Sequence, residues 1–371
     1  MGSIVKIMKK LKHSFLALSG IATFLLVTGC KSEFDVTTDY QVTPIIFGLL
    51  DQGEKFQYIR INKTFLGQGN AYDFAKVADS SYFDQVDAKV VEVINGSIQN
   101  EWPLRDTILE NKSENGAFYA PQHKLYYFYA DTLYPDAIYR LEANINNGEH
   151  IVKGQTRVVS NVTIQSPIQQ TTFALRGAQP GDYKGIPIIW TTASGSGGRN
   201  SRYNVKFVFH WDEYTGGIPT SKSFTWNLSE LSGENYTGGT ISVSVPGEQF
   251  FQMVRDRIPI DPSVERRLHT KVEIILTAGA EDLTNYMLAS QPSSSLAQSK
   301  PTYTNLEGAI GLFSARYTHR FDKLFVNGNY RTLDQNSMRE LCEGPYTYEL
   351  DFCSNHPIDN NPLNPMSFRC Q

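Results

Sequence analysis

The sharpest chemistry in this 371-residue sequence lies in four cysteines, Cys30 and then Cys342, Cys353 and Cys370 within the last thirty residues. The later three allow alternative single pairings and leave one thiol over. Cys342 and Cys353 flank Pro345-Tyr346-Thr347-Tyr348-Glu349-Leu350, which could bend back as a tight hairpin, so that pair is favoured. A Cys353–Cys370 bond would instead staple the tail. Together with His356 the three thiols make a Cys3His set with a C-x2-H step. The second short C-x2-C step of a zinc site is missing, and no metal site is assigned.

Other catalytic patterns are absent. No P-loop, G-x-G-x-x-G, H-E-x-x-H or G-x-S-x-G occurs. His123, His150, His210, His269, His319 and His356 show no paired spacing. His210, Asp212 and Glu213 stand close in sequence, with His210 and Asp212 on one side of a strand and Trp211 on the other; a solvated outer face is the expectation. Glu281-Asp282 opens a helix, where carboxylates favour the macrodipole, and is not read as a glycosidase pair. Ser194-Gly195-Ser196-Gly197-Gly198 lacks nucleophile-elbow spacing and reads as a loop. No catalytic residue and no cofactor is expected, and the chain is read as a non-enzyme.

Cys30 has a different context. Lys6, Lys9, Lys10 and Lys12 precede an apolar run from Phe15 to Val27, which closes on Val27-Thr28-Gly29-Cys30. The run is shorter than the ~20 residues needed to cross a bilayer. Small residues directly before a cysteine resemble the lipobox of bacterial lipoproteins, with Val27 where Leu is usual. The resemblance implies a signal peptide over residues 1–29 and acylation of Cys30, which would anchor the chain to the lipid bilayer. Lys31-Ser32-Glu33-Phe34-Asp35 resembles the surface-export signal of Bacteroidota lipoproteins, so outward display from the outer membrane is expected.

Composition agrees with a folded protein. The chain is 40% apolar and 12% aromatic, with net charge −4. Losing residues 1–29 removes four lysines and no acidic residue, taking −4 to −8. No basic excess exists to hold nucleic acid.

The elements that would carry these residues are mostly strands. Thr43–Leu50, Phe56–Phe65, Ala88–Ile94, Ser97–Leu104, Leu125–Tyr129, Ile138–Ile145 and Ile151–Val159 read as a strand series, with Asn95-Gly96 as a hairpin turn. The apolar face of the second strand switches near Tyr58–Ile59, which suggests a bulge or a strand covered on both sides. The series predicts an immunoglobulin-like β-sandwich over 43–160, after a tether at 30–42. A second β-rich domain with short helical insertions is expected over 161–333. Its long strand alternates Tyr203, Val205, Phe207, Phe209 and Trp211 with polar or smaller residues, and its helices fall at Gln249–Ile258 and Glu281–Ser290. Residues 334–371 form a Cys-containing tail that is expected to lie along the surface. The fold class is therefore mainly β.

Two features suit life on a surface. Asp106-Thr107-Ile108 and Asp131-Thr132-Leu133 resemble the Asp-Ser/Thr-apolar motif that Bacteroidota O-glycosylate, which makes Thr107 and Thr132 candidate sites. The run Tyr126-Tyr127-Phe128-Tyr129 puts Tyr127 and Tyr129 on one face, as core or as a platform for a partner.

Thr304-Asn305-Leu306-Glu307-Gly308-Ala309-Ile310-Gly311-Leu312-Phe313 resembles the T/S-N-[IV]-E-x-G-[LI]-G-[IL]-F ending of an uncharacterised family of Bacteroidota outer-membrane lipoproteins. Ala309 stands where Gly is frequent. Thr304, Asn305, Glu307, Gly308, Gly311 and Phe313 carry the match. The lipobox, the helix with Tyr286 and the start Pro44-Ile45-Ile46-Phe47-Gly48 fit the same family. The resemblance implies a companion of TonB-dependent outer-membrane receptors, acting as a ligand-binding or accessory subunit. In physical terms Gly308 and Gly311 would let a loop and a strand approach closely. The rival expectations are an adhesin or envelope-structural protein and, third, a surface hydrolase.

Overall fold

Alternation along extended segments sets most of the observed elements. The computed structural model describes residues 41–65, 70–159, 162–168, 172–192, 200–232, 239–291, 302–323 and 331–371. The signal peptide, Cys30 and the loop with Ser194 and Gly198 lie outside these residues. The first strands are β1 (Pro44–Asp51), β2 (Phe56–Lys63), β3 (Val86–Ile94), β4 (Ser97–Pro103), β5 (Arg105–Leu109), β6 (His123–Tyr129), β7 (Ile138–Ile145) and β8 (His150–Thr156). Helices α1 (Ala71–Ala75) and α2 (Ala78–Ser81) fall between β2 and β3. Next come β9 (Val162–Ser166), β10 (Gly185–Thr192), β11 (Asn200–Thr215), β12 (Ile218–Ser232), β13 (Thr240–Pro246) and helix α3 (Gly247–Arg257). The chain continues through β14 (Arg266–Ala280), α4 (Glu281–Ser290), β15 (Leu306–Glu307), β16 (Ile310–Lys323), α5 (Gln335–Glu343) and β17 (Phe352–Cys353).

The molecule is mainly β, as the alternation predicts. The largest sheet runs β12-β11-β14-β16-β1-β2-β6-β5, with β17 on β14. A five-stranded sheet runs β15-β8-β7-β3-β4, and a third runs β13-β10-β9. The chain changes sheet between β4 and β5 at Leu104, whose N–H donates to Ala88 at 2.8 Å. Trp102 stacks on Phe128 at 5.2 Å, which joins the five-stranded sheet to the largest one. Phe128 is buried, and burying such a side chain contributes about 2 kcal/mol through apolar area removed from water. No helix among the described residues is long and apolar enough to cross a membrane.

The boundary expected at 160/161 does not separate two sheets. β1 pairs in parallel with β16, Ile45 opposite Ile310 and Phe47 opposite Leu312. β15 adds to β8. Residues 306–323 therefore complete the two sheets begun by residues 44–156, and Val42–Phe65 and Ala71–Gln371 form one compact unit. The reason is physical: β1 has β2 on one side only, and a buried strand edge must find a partner.

The hairpin at Asn95-Gly96 is as predicted, with φ of 50° and 80° matching the twist of β3 and β4. The helices at 247–257 and 281–290 also fall where the spacing puts them, with Phe250, Phe251 and Val254 of α3 buried. The bulge expected near Tyr58 is absent. β2 alternates without interruption, and Gln57 occupies a buried position. Its side chain satisfies Asp51 N–H at 2.9 Å and the Asp51 and Glu54 carbonyls at 2.9 and 2.6 Å, so a polar residue serves in a core position.

The tail is corrected most. It does not lie along the surface but enters the core through α5, whose Met338, Leu341 and Cys342 are buried. The Asp334 carboxylate caps this helix by accepting from Ser337 N–H at 2.8 Å. The favoured Cys342–Cys353 pair does not form. Cys353 bonds Cys370 instead, across a Cα separation of 5.0 Å, and Cys342 is a free buried thiol. The helix places Cys342 on its inward face, and the segment after it continues as turns rather than a hairpin.

Candidate functional site

The outer faces of β1, β2 and β6 combine into the floor of a cleft. Strand alternation sends Gln57, Ile59 and Ile61 inward and leaves Phe56, Tyr58, Arg60 and Asn62 outward. Pairing sets Ile45 opposite Asn62 and Phe47 opposite Arg60. On the other side β6 contributes His123 and Leu125. Ser81 and Tyr82, at the end of α2 and just beyond it, form one wall. The other wall is the segment carrying Lys112, Phe118 and Tyr119, held to α1 by Tyr119 N–H donating to Ala75 at 2.8 Å. The cleft has a volume of about 600 Å³, within the usual range of small-molecule sites.

Its charge is one-sided. Arg60, Lys63, Lys112, Lys124 and His123 line it, and no Asp or Glu does among the described residues. Asp106 approaches Lys124 from outside the lining at 3.6 Å. Arg60, Lys63 and Lys112 form no salt bridge among the described residues. Arg60 lies instead over the Phe47 ring, with its guanidinium carbon 4.8 Å from the centroid. Lys112 donates to the Tyr119 carbonyl at 2.6 Å and sits 5.5 Å from the Phe118 ring centre. Burial, and then the charge of Arg60, hold the Lys112 ammonium below the usual lysine value. Burial, Lys112 and Arg60 likewise hold His123 below the usual imidazole value, so it is neutral at pH 7. Its Nε2 is buried without a hydrogen-bond partner, as is Oδ1 of Asn62. Apolar and aromatic side chains supply most of the remaining wall.

The row continues beyond the cleft as exposed aromatics. Phe56, Tyr58 and Tyr129 are 50%, 43% and 44% exposed, and Tyr127 joins them at ring separations of 6.0 Å to Phe56 and 6.1 Å to Tyr58. Tyr126 and Phe128 of the same run face the core.

The residues singled out from sequence lie elsewhere. Asn305, Gly308, Gly311 and Phe313 form a structural joint. The Asn305 carboxamide bonds the backbone of Phe313, and Thr304 Oγ1 accepts from Leu306 N–H at 3.2 Å. A Cβ at Gly308 would lie 2.2 Å from the Ile151 carbonyl, and one at Gly311 2.0 Å from the Ile46 carbonyl. This is the close approach expected of the two glycines. Glu307 is exposed opposite Lys153. Thr132 is exposed and Thr107 half-buried on β5, whereas Leu133 is buried.

His210 and Glu213 do not converge. His210 meets Glu273 at 3.5 Å, while Glu213 is buried against Arg267 at 2.9 Å and also accepts from Lys222. Burial works against ionisation of Glu213, yet Lys222 and Arg267 hold its carboxyl below the usual range. Asp282 accepts from Tyr303 at the start of α4. Of the Cys3His set, Cys353 and Cys370 are consumed by the disulfide. No cluster of three metal-ligating side chains occurs among the described residues.

Sequence reasoning missed the cleft. Its cations are spread from Arg60 to Lys124 and meet only through β1–β2–β6 pairing. The readable signal was the outward pair Arg60 and Asn62 at the end of an otherwise aromatic strand face, with Lys63 closing the strand.

No family model and no curated protein matches the chain. Among solved structures it is similar to the C-terminal globular domain of an oligosaccharyltransferase from Pyrococcus abyssi, at 7% identity and a TM-score of 0.24. That likeness covers 63% of this chain and 44% of the other, and it is too low to bear on fold or function.

Proposed function

We propose that this chain is a non-catalytic, lipid-anchored binding protein of the outer membrane, facing the cell exterior, which takes a ligand in the cationic cleft. The observation that carries the binding role is the cleft itself: a cavity of about 600 Å³ with converging cations, aromatic walls and no lining carboxylate among the described residues. The lipobox ending at Cys30 supports the anchor. The resemblance of the 304–313 segment supports a role beside a TonB-dependent receptor. The immunoglobulin-like reading of the first sandwich stands as part of this proposal.

Two measurements test it. Palmitate labelling of the protein in cells should be lost in Cys30→Ser, and the wild-type chain should co-purify with a large β-barrel from detergent-solubilised outer membranes. Unlabelled wild-type protein would overturn the anchor, and purification without a barrel partner would overturn the receptor role.

The adhesin reading has one observation in its favour, the exposed row of Phe56, Tyr58, Tyr127 and Tyr129. It predicts that Phe56→Ser with Tyr129→Ser lowers attachment of cells to a surface without changing their growth.

A further inference from the structure

Resting on the binding role just proposed, we infer that the ligand is a small organic oxyanion whose charged head meets Arg60, Lys63 and Lys112 and whose flat apolar body packs against Tyr82, Phe118 and Tyr119. Three independent features of the cleft lead to this chemistry.

The first is that no carboxylate neutralises Arg60, Lys63 and Lys112 among the described residues. Like charges gathered in one concavity repel each other, and the half-buried Lys112 is also held down by burial, an arrangement that costs folding free energy unless something offsets it. Elsewhere the fold neutralises its enclosed cations: Arg176 meets Glu340 at 2.5 Å, Arg267 meets Glu213 at 2.9 Å and Arg331 meets Asp359 at 2.6 Å. The half-buried Lys63 and Lys112 have no such partner among the described residues, in a chain whose net charge is negative. A bound carboxylate, phosphate or sulfate would supply the missing charge.

The second is pre-organisation. Stacking on Phe47 fixes the plane of Arg60, and the bond to Tyr119 fixes Lys112. A planar guanidinium held in this way suits two-point recognition of an oxyanion. The third is the pair of orphaned buried atoms, Nε2 of His123 and Oδ1 of Asn62. With its ring proton on Nε2, neutral His123 can donate to the anion. Asn62 Oδ1 can accept from a ligand hydroxyl or amide. The aromatic walls then define the remainder of the ligand as flat and apolar.

The test uses the full-length protein in detergent and titration calorimetry with four probes: phenyl phosphate, benzoate, benzamide and inorganic phosphate. Phenyl phosphate and benzoate should both bind saturably, more weakly as salt is raised. If only one binds, the head group is identified as phosphate-like or carboxylate-like and the proposal stands. Benzamide and inorganic phosphate, which lack the charge or the ring, should bind at least about tenfold more weakly, the worth of one charge-assisted contact. Arg60→Gln and Lys112→Gln should each weaken the anionic probes by about tenfold, with Tyr129→Ala as the variant outside the cleft that leaves binding unchanged. Circular dichroism confirms that each variant is folded. If benzamide binds as well as benzoate, the cleft remains a ligand site but the anion assignment falls. If inorganic phosphate binds as well as phenyl phosphate, the apolar half falls. If none of the four binds, both the assignment and the use of this cleft fall.

Discussion

The carboxamide of Asn305 closes both backbone hydrogen bonds of Phe313. Its Nδ2 donates to the Phe313 carbonyl at 2.7 Å, and its Oδ1 accepts from the Phe313 N–H at 3.0 Å. Asn305 thus takes the place of a neighbouring strand for one residue of β16, just where the chain leaves β15 in one sheet and enters β16 in another. Phe313 is fully buried and packs against Gly48 of β1, where a Cβ would approach its ring to 3.0 Å. Replacing Asn305 by Ala should leave a half-buried N–H and C=O without partners and cost about 2 kcal/mol. Asn305→Asp should be no better than Ala, because a carboxylate oxygen would then face the Phe313 carbonyl. Urea denaturation of the three proteins checks both statements.

Gly311 is the second constraint at this joint. Its φ is 116°, and a Cβ there would lie 2.0 Å from the Ile46 carbonyl, on a strand that cannot move without breaking the β1–β16 register. Gly311→Ala should therefore destabilise by on the order of 2–4 kcal/mol through strain and backbone displacement. The same change at Gly116, where a Cβ would meet only the Ser113 carbonyl at 3.8 Å and φ lies outside the left-handed region, should be near neutral. Thermal melting of the two variants gives the comparison.

These two residues also mark what was legible in the sequence. The N-x-x-G-x-x-G spacing stood out, and close approach was the right physics for its glycines. Nothing local announced that Ile46 would be the neighbour, because parallel pairing of β1 with β16 joins residues 265 apart in sequence, as Ile45 with Ile310. Local signals served well where one element decides its own state, as at Asn95-Gly96, along Tyr203–Trp211 and at α3. They failed in the tail. Its Asn and Pro content suggested a surface course, although Met338, Leu341 and Cys342 are spaced as one helix face and Asp334 with Ser337 is a capping pair. The cleft was illegible for the same reason as the joint: Arg60 and Lys112 become neighbours only when strand and wall are assembled.

The tail is held by Arg267, which is fully buried. It donates to Glu213 at 2.9 Å, to the Leu350 carbonyl at 2.7 Å and to the Pro259 carbonyl at 3.0 Å. Arg267→Met should cost about 3–5 kcal/mol, since it strands two carbonyls and removes one of Glu213's cations. Arg267→Lys should recover little of this, because an ammonium cannot span three acceptors in a planar fork. Limited proteolysis should then cut within residues 334–371 while strands β1–β8 survive.

The cysteines should behave differently from one another. The Cys353–Cys370 bond closes a loop of separation 17 beside an existing contact, in which Ser354 N–H donates to Phe368 and Cys370 N–H to Ser354, each at 2.9 Å. Breaking it with Cys370→Ser should cost about 3 kcal/mol by the loop-entropy argument. Cys342 has its thiol pushed up by burial, with Glu343 and Asp359 adding to the effect. Maleimide should leave Cys342 unmodified in the native protein and modify it in denaturant, as read from the mass of the peptide that contains it. Modification in the native state would show that α5 opens.

His269 should give the protein an acid limit. Its ring is half-buried and stacked on Phe209 at 4.7 Å. A carbonyl can only accept, so Nδ1 carries the proton and donates to His210 at 3.1 Å; Nε2 is left to accept from the Thr332 hydroxyl. Burial holds the imidazole down to about 3, against 6.5 in the unfolded chain. Between these values the unfolded state binds a proton that the native state refuses, so stability is full above pH 6.5 and falls as the pH drops. The slope is about 1.4 kcal/mol per pH unit for one such group. His210, His319 and His356 are also held below the usual value, chiefly by burial, and add in the same direction. His269→Gln keeps a donor for His210 and an acceptor for Thr332 but no longer titrates. Its denaturation free energy should therefore fall less steeply between pH 6 and 4 than that of the wild type, by about one proton's worth of slope. Equal slopes in the two proteins would mean that His269 is protonated, or reached by water, in the native state.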